Sequence, residues 1–207
     1  MAPTPFKLVI LDRDGTINED RDDYVKSPDE WVPLPGALEA ISRLNHAGWH
    51  TVLATNQSGL GRGLFDMASL NAIQLKMNQA LTAQGGRIDA VFFCPHTPDE
   101  HCDCRKPQPG LMQQIGERFG VSLDNTPMVG DTLRDMQAGA AAGCPTHLVL
   151  TGKSAGLDAA ALATLLDAVP GTCVHIDLAA FADWLIRQER SARGDTGESD
   201  SGFGELQ

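Results

Sequence analysis

The chain has 207 residues, of which 42% are hydrophobic and 21% are charged, a composition typical of a globular protein. Acidic residues outnumber basic ones 27 to 16, and the formal net charge of −11 argues against a nucleic-acid partner, because phosphates would be repelled. The sequence contains no run of about 18 apolar residues and begins without the segments of a secretory signal. We therefore expect a cytoplasmic protein that does not contact membranes.

Short apolar segments alternate with helix-period segments along most of the chain. The first, Leu8–Leu11, is β-branched at its centre and suits a buried strand of a parallel sheet. Further strands are predicted at 52–54, 90–93, 128–129 and 147–150, and helices at 37–46, 68–84, 111–119 and 133–142. This alternation predicts an α/β fold with a doubly wound, mostly parallel sheet.

Residues 1–190 are expected to form a single domain. The remaining segment, 191–207, holds seven Gly or Ser and four acidic residues, a composition that predicts disorder. Nothing in the composition requires a partner chain, so we expect a monomer.

Polar side chains follow four of the predicted strands, at the edge where ligands of such sheets bind. In chain order they are Asp12 and Asp14, then Thr55, Asn56 and Gln57, then Cys94 and His96, then Asp131. The pair Asp14 and Gly15 alone could be a simple turn. A calcium loop is disfavoured, because an EF-hand needs a flanking helix and a strand precedes this segment.

The segment 12–16, followed by Thr55, Lys106 and Asp131 in that order, resembles the haloacid dehalogenase superfamily of phosphohydrolases. The resemblance implies that Asp12 is the nucleophile that forms an aspartyl-phosphate and that Asp14 is the general acid and base. Thr55 and Lys106 would bind the phosphoryl oxygens. Mg²⁺ would be held by Asp12, the backbone carbonyl of Asp14 and Asp131.

The role of Asp135 stays open, because an aspartate in a first helical turn also stabilises the helix without chemistry.

A second cluster has the composition of a tetrahedral zinc site. Its members are Cys94, His96, Cys102 and Cys104. Free thiols or a disulfide are the alternatives, and His101 could replace His96 as a ligand. Arg105 and Lys106 follow directly, so a structural zinc would order the loop that carries Lys106. The two remaining cysteines, Cys144 and Cys173, are expected to be small buried side chains.

Together, the motifs and the zinc-type loop resemble the branch of the superfamily that contains heptose-bisphosphate and histidinol-phosphate phosphatases, over about residues 8–151. The resemblance implies a magnesium-dependent phosphatase of a small sugar phosphate, without a large cap domain. Removal of the 7-phosphate of a heptose 1,7-bisphosphate, in lipopolysaccharide precursor synthesis, is the first hypothesis. Histidinol-phosphate hydrolysis and a non-catalytic zinc-stabilised module are the alternatives, and the retention of both Asp12 and Asp14 disfavours the latter.

Short loops would have to supply the specificity of an enzyme without a large cap. The candidate substrate-binding residues are Asp20, Asp23, Tyr24, Asn56, Gln57, Ser58, Arg62 and Arg105. A guanidinium such as that of Arg105 suits a second phosphate that is not cleaved. Solvated surface is the alternative for the acidic residues. Asp23 and Thr132 depart from the pattern of relatives, which often carry glycine and a basic residue there.

Overall fold

The protein forms one parallel six-stranded sheet with helices on both faces. The structure, a computed structural model, describes residues 6–192 and 194. The strands are β1 (Leu8–Leu11), β2 (His50–Asn56), β3 (Ala90–Cys94), β4 (Met128–Gly130), β5 (Thr146–Val149) and β6 (Cys173–His175). They are arranged in the order β3-β2-β1-β4-β5-β6, and every neighbouring pair is parallel. The predicted doubly wound α/β fold is confirmed.

Seven α-helices lie within the described residues. They are α1 (Ala37–His46), α2 (Ser58–Gly61), α3 (Met67–Ala83), α4 (Gly110–Phe119), α5 (Leu133–Ala142), α6 (Ala159–Ala168) and α7 (Leu178–Ala192). The predicted bounds of α1 and α5 agree with the structure, whereas α2, β6, α6 and α7 were not predicted. Helix α7 includes the first two residues of the segment expected to be disordered, and apart from residue 194 the rest of that segment lies outside the described residues.

The two faces of β1 point into different parts of the core, because successive side chains of a strand alternate. Val9 and Leu11 pack in a cluster with α1, α3 and α7, whereas Leu8 and Ile10 pack with α4 and α5. All four are buried. The central strand is therefore held from both sides, which fixes the residue that follows it.

The outcomes for the cysteines outside the metal-type cluster differ. Cys144 is buried as predicted. The prediction for Cys173 is wrong, because this residue begins the edge strand β6 and is exposed.

The chain reverses its direction of winding between β1 and β4. From β1 it continues outward to β2 and β3, and then returns to place β4 on the other side of β1. In an open parallel sheet this reversal leaves a crevice at the carboxyl ends of the two strands, where ligands bind. Among residues 6–192 and 194, no helix combines the length and the apolar character needed to cross a membrane.

Candidate active site

Three carboxylates meet in the crevice between β1 and β4. Asp12 follows β1, Asp131 follows β4, and Asp135 lies in the first turn of α5; all three are buried. Each offers an oxygen that lies within 4.8 Å of the other two. The backbone N–H of Asp12 donates to the carbonyl of Val129 at 2.8 Å, so sheet pairing sets the separation of the two strand ends. Topology thus assembles an acidic site from distant parts of the sequence.

Lys106 supplies the positive charge at the centre of this cluster. Its Nζ lies 2.8 Å from Asp12 Oδ1 and 2.6 Å from Asp135 Oδ1, and donates to the carbonyl of Ala54 at 2.7 Å. Burial lowers the pKa of Lys106, but the two carboxylates outweigh burial and raise this pKa to about 12. The ammonium is therefore charged throughout the physiological range.

Asn56 holds the backbone of Lys106 from both sides. Its Nδ2 donates to the carbonyl of Lys106 at 3.0 Å, and its Oδ1 accepts from the N–H of Lys106 at 3.1 Å. The side-chain amide thus fixes the loop that carries the lysine to the end of β2. Asn56 therefore positions the backbone of Lys106, and it also lines the cavity of the site.

The site carries more negative charge than its own cation balances. Burial raises the pKa of Asp12 to about 7 against the attraction of Lys106, and burial with repulsion from Asp12 and Asp135 raises that of Asp131 to about 8. Asp131 Oδ1 is buried and has no hydrogen-bond partner among the residues that the structure describes. A cluster of carboxylate oxygens with an unpartnered atom has the chemistry of a site for a hard divalent cation.

Asp14 faces the same cavity but is held differently. Its oxygens accept hydrogen bonds from Arg13 at 2.8 Å, Asn18 at 2.8 Å and Gln57 at 3.0 Å. Burial raises the pKa of Asp14, but the Arg13 guanidinium and these hydrogen bonds outweigh burial and hold it below its ordinary value. The pKa values of the two aspartates of the opening motif are therefore shifted in opposite directions, because their surroundings differ.

Gln57 belongs to the support of this motif as well. Its Nε2 also lies 3.0 Å from Oγ1 of Thr55, which is buried beside it. The sequence suggested a substrate contact for Gln57. The structure adds that its amide links the hydroxyl of Thr55 to the carboxylate of Asp14.

The loop after β5 completes the site, and the sequence analysis missed it. Thr151 Oγ1 donates to the carbonyl of Gly15 at 2.6 Å, the N–H of Lys153 donates to Asp131 Oδ2 at 2.7 Å, and Ser154 Oγ donates to the carbonyl of Asp131 at 2.6 Å. A further polar segment at the carboxyl end of a strand was the available signal. This loop aims the carboxylate of Asp131.

Glycine is required where this loop meets the opening motif. A Cβ atom on Gly15 or on Gly152 would overlap the carboxylate of Asp131, and both glycines have positive φ angles, +83° and +51°. The backbones of the two loops therefore close around Asp131 without leaving room for a side chain.

The Cys/His cluster lies at the end of β3, beside Lys106. Cys102 Sγ is 3.6 Å from Cys94 Sγ and 3.5 Å from Cys104 Sγ, and His96 Nδ1 is 3.3 Å from Cys104 Sγ. These ligand atoms lie within 4.8 Å of one another and the cysteines form no disulfide. Sulfurs bound to one tetrahedral zinc lie roughly 3.7 Å apart, so the spacing fits that ion. His101 is not part of the group.

The chain is similar in sequence to several known proteins. The HAD-hydrolase-like family model matches residues 103–178. A D-glycero-beta-D-manno-heptose-1,7-bisphosphate 7-phosphatase of Bordetella bronchiseptica is 56% identical over 88% of this chain and 99% of its own length. The enzyme of the same name from Pseudomonas aeruginosa is 47% identical over 87% of this chain and 98% of its own length. The chain belongs to this 7-phosphatase family.

Solved structures agree with that membership. The heptose-bisphosphate phosphatase of B. bronchiseptica, crystallised with magnesium and phosphate, superposes with a TM-score of 0.82, at 55% identity over 88% of this chain and 99% of that one. The enzyme from Burkholderia thailandensis gives a TM-score of 0.66 at 55% identity, covering 86% and 98%. The superfamily is the one that the opening motif and its partners indicated, and the 7-phosphatase branch is the one that these motifs indicated together with the Cys/His loop.

In this member of the 7-phosphatase family, most predicted substrate-binding residues line a cavity of about 220 Å³ above the carboxylates. Those at its wall are Asp20, Tyr24, Asn56, Gln57, Ser58 and Arg105. Asp23 and Arg62 are not at the wall: Asp23 pairs with Arg21 and Lys26, and Arg62 is exposed at the end of α2. The structure places these two residues outside the cavity wall, and their role in substrate binding stays a prediction.

Three further basic residues at the wall, Arg21, Arg134 and Lys153, were not predicted from sequence.

Proposed function

We propose that this chain is a magnesium-dependent phosphatase that removes the 7-phosphate of D-glycero-β-D-manno-heptose 1,7-bisphosphate through an aspartyl-phosphate. The names of the relatives support the substrate. The observation that carries the chemistry is the meeting of Asp12, Asp131 and Lys106 at the ends of two adjacent strands. The product would enter lipopolysaccharide heptose synthesis.

Magnesium would be held by Asp12, Asp131 and the backbone carbonyl of Asp14. The unpartnered oxygen of Asp131 and the raised pKa values of both acids support this assignment, as does the magnesium in the structure of the Bordetella relative. When bound, the ion neutralises charge on the phosphoryl oxygens as an anionic nucleophile approaches.

Asp12 is the nucleophile of the proposed reaction. One of its oxygens bonds to phosphorus while the bond from phosphorus to the sugar oxygen breaks. Lys106 Nζ and the hydroxyl of Thr55 bind the phosphoryl oxygens. Since Lys106 is held by Asp135 and the backbone, its charge needs no rearrangement during transfer.

Asp14 moves the protons. It donates one to the departing sugar oxygen, and then accepts one from the water that attacks the phosphorus of the aspartyl-phosphate. That attack breaks the bond from phosphorus to the Asp12 oxygen and releases inorganic phosphate. In the free protein its low pKa keeps it ionised, and the approach of a phosphate dianion raises that pKa so that it can carry the first proton.

Zinc is the proposed occupant of the Cys/His cluster. Four protein ligands fill a tetrahedral shell and leave no position for substrate, so the ion is structural. Its place next to Arg105 and Lys106 gives it an indirect part in catalysis.

Phosphate release from a small panel tests the proposal. Heptose 1,7-bisphosphate of each anomer and histidinol phosphate are compared with Mg²⁺ present and with Mg²⁺ chelated. We expect fast, magnesium-dependent release from the β-anomer. Faster release from histidinol phosphate would favour the alternative enzyme, and no release from any compound would favour the non-catalytic module. Asp12→Asn should abolish turnover, whereas Asp29→Asn, an exposed change outside the cavity, should not.

A further inference from the structure

The cationic side chains at the cavity wall fall into two groups. They are Arg21, Arg105, Lys106, Arg134 and Lys153. Lys106 pairs with Asp12 and Asp135, Arg21 with Asp23, and Lys153 with Asp20 and Asp22. In contrast, neither Arg105 nor Arg134 forms an ion pair with any residue in the part of the chain that the structure describes.

The two unpaired arginines come from segments that already hold the reactive centre. Arg105 directly precedes Lys106, and its Nη1 donates to the carbonyl of His96 at 3.4 Å, which leaves the rest of the guanidinium free. Arg134 is the second residue of α5, three positions after Asp131, and is exposed. Both residues also line the neighbouring cavity formed by the zinc-type loop. Both arginines therefore lie at the boundary between the two cavities.

Thr132 lies between Asp131 and Arg134, but its hydroxyl is already engaged in hydrogen bonds within the protein. Its hydroxyl donates to Asp135 Oδ2 at 2.6 Å and accepts from the N–H of Asp135, which caps α5. The first side chain of this helix that is free to reach a ligand in the cavity is therefore that of Arg134.

We propose that Arg134, together with Arg105, binds the phosphate group that is not cleaved, and so selects bisphosphates over monophosphates. This inference rests on the proposed function, since it concerns the second phosphate of that substrate. Guanidinium groups donate in a fork that matches phosphate oxygens, and two of them without carboxylate partners form an anion site in a protein whose net charge is −11. Arg134 is thus a specificity-determining residue of the 7-phosphatase reaction in this chain.

The test compares Arg134→Ala, Arg134→Lys and the control Arg118→Ala, which removes an exposed arginine of α4 outside both cavities. Substrates are heptose 1,7-bisphosphate and the generic monophosphate p-nitrophenyl phosphate. For Arg134→Ala we expect KM for the bisphosphate to rise roughly tenfold with kcat nearly unchanged, because a charged hydrogen bond to the phosphate is lost. Monophosphate kinetics should not change, and Arg134→Lys should recover part of the loss.

Two results would overturn the inference. One is an unchanged KM for the bisphosphate in Arg134→Ala. The other is an equal loss on both substrates, which a structural role would give. The proposed function fails separately, if the wild type does not hydrolyse the bisphosphate. Inhibition of p-nitrophenyl phosphate turnover by the bisphosphate then still tests Arg134, because the inhibition constant must rise in Arg134→Ala but not in Arg118→Ala.

Discussion

Asp135 joins the reactive centre to the helix that supports it. Its Oδ2 accepts from the N–H and the hydroxyl of Thr132 at 3.0 and 2.6 Å, while its Oδ1 contacts Nζ of Lys106. The sequence left open whether this residue serves the helix or the chemistry. The structure shows contacts of both kinds, because the capping position of α5 lies within reach of the buried lysine.

Replacing Asp135 by Asn should therefore lower both kcat and stability. The amide retains an oxygen for the cap but loses the charge that holds Lys106 opposite Asp12. We expect a fall in kcat of roughly tenfold or more and a loss of about 1–3 kcal/mol in unfolding free energy. Steady-state kinetics and thermal unfolding measure both, with Asp183→Asn at an exposed ion pair as the control. An unchanged kcat would leave Asp135 with the capping role alone.

Most residues of the proposed chemistry could be predicted because they belong to short motifs directly after a strand, and Lys106 could be predicted from the resemblance. Their supports could not be predicted in the same way. The contact of Gln57 with Asp14 joins residues 43 positions apart, and that of Asn56 with Lys106 joins residues 50 apart. Such pairs depend on how β2 sits beside β1, which local patterns do not specify. That Arg134 has no carboxylate partner among the described residues likewise becomes known only from the positions of the surrounding acidic side chains.

At the level of elements, the loop after β5 is as important to the site as the opening motif. It donates to both the side chain and the backbone of Asp131, and a Cβ atom on Gly152 would overlap Asp131 and the Cα of Gly15. The short 3₁₀ helix Gly152–Ser154 thus holds the carboxylate of Asp131 in place.

Gly152→Ala should reduce activity sharply, because the new methyl group would displace the carboxylate of Asp131. Gly156→Ala is a matched control: Gly156 also has a positive φ, +77°, but nothing lies within 4 Å of the Cβ it would gain. Both changes place alanine at a positive φ angle and share that energetic cost, whereas only Gly152→Ala disturbs the site. We expect the magnesium concentration for half-maximal activity to rise in Gly152→Ala alone. Equal values for both variants would contradict this role.

The Cys/His loop is predicted to act on catalysis through Lys106. Cys102→Ala should abolish zinc binding, measured by elemental analysis, and should lower kcat because Arg105 and Lys106 lose their anchor. Cys173→Ala, at an exposed cysteine outside the cluster, should change neither. An unchanged kcat in a zinc-free variant would show that the metal does not act on catalysis through Lys106.

Four elements escaped prediction for different reasons. Helix α2 has only four residues, too few to show a helical period, and strand β6 has only three, too few to show alternation. Helices α6 and α7 did have signals, since Asp158 and Asp177 accept hydrogen bonds from N–H groups at the helix starts. The segments with clear glycine stops and periodic apolar faces were the ones predicted correctly.

At the scale of the whole molecule, two histidines join the last strands to the last helix. His147 Nδ1 of β5 lies 3.1 Å from His175 Nε2 of β6, and both rings pack against Phe181 and Trp184 of α7. Burial, and then the neighbouring ring, lower the pKa of His147 from 6.5 to about 3, and burial lowers that of His175. Both rings are neutral in the folded protein at neutral pH.

Stability should therefore decline in acid. Because the folded-state pKa of His147 is depressed, its contribution is complete above about pH 6.5 and is lost as the pH falls from there toward 3. At pH 5.5 the loss is on the order of 1 kcal/mol for this residue. His147→Phe removes the titration, so the difference in unfolding free energy between pH 7.5 and 5.5 should shrink relative to wild type.

The expected single domain, monomeric state and cytoplasmic location stay predictions at this scale. Charge and composition supported them, and the described fold is one continuous sheet with helices on both faces.

Lys7 at the entry to β1 is held by the last helix, at the end of the strand opposite Asp12. Its Nζ contacts Glu189 and the carbonyl of Ala47 at 2.6 Å each, and lies 5.6 Å from the ring of Trp49, whose Nε1 donates to Glu189 at 3.1 Å. An indole so placed is an intrinsic optical probe: its emission follows detachment of α7 while remaining a full strand length away from the reacting phosphate.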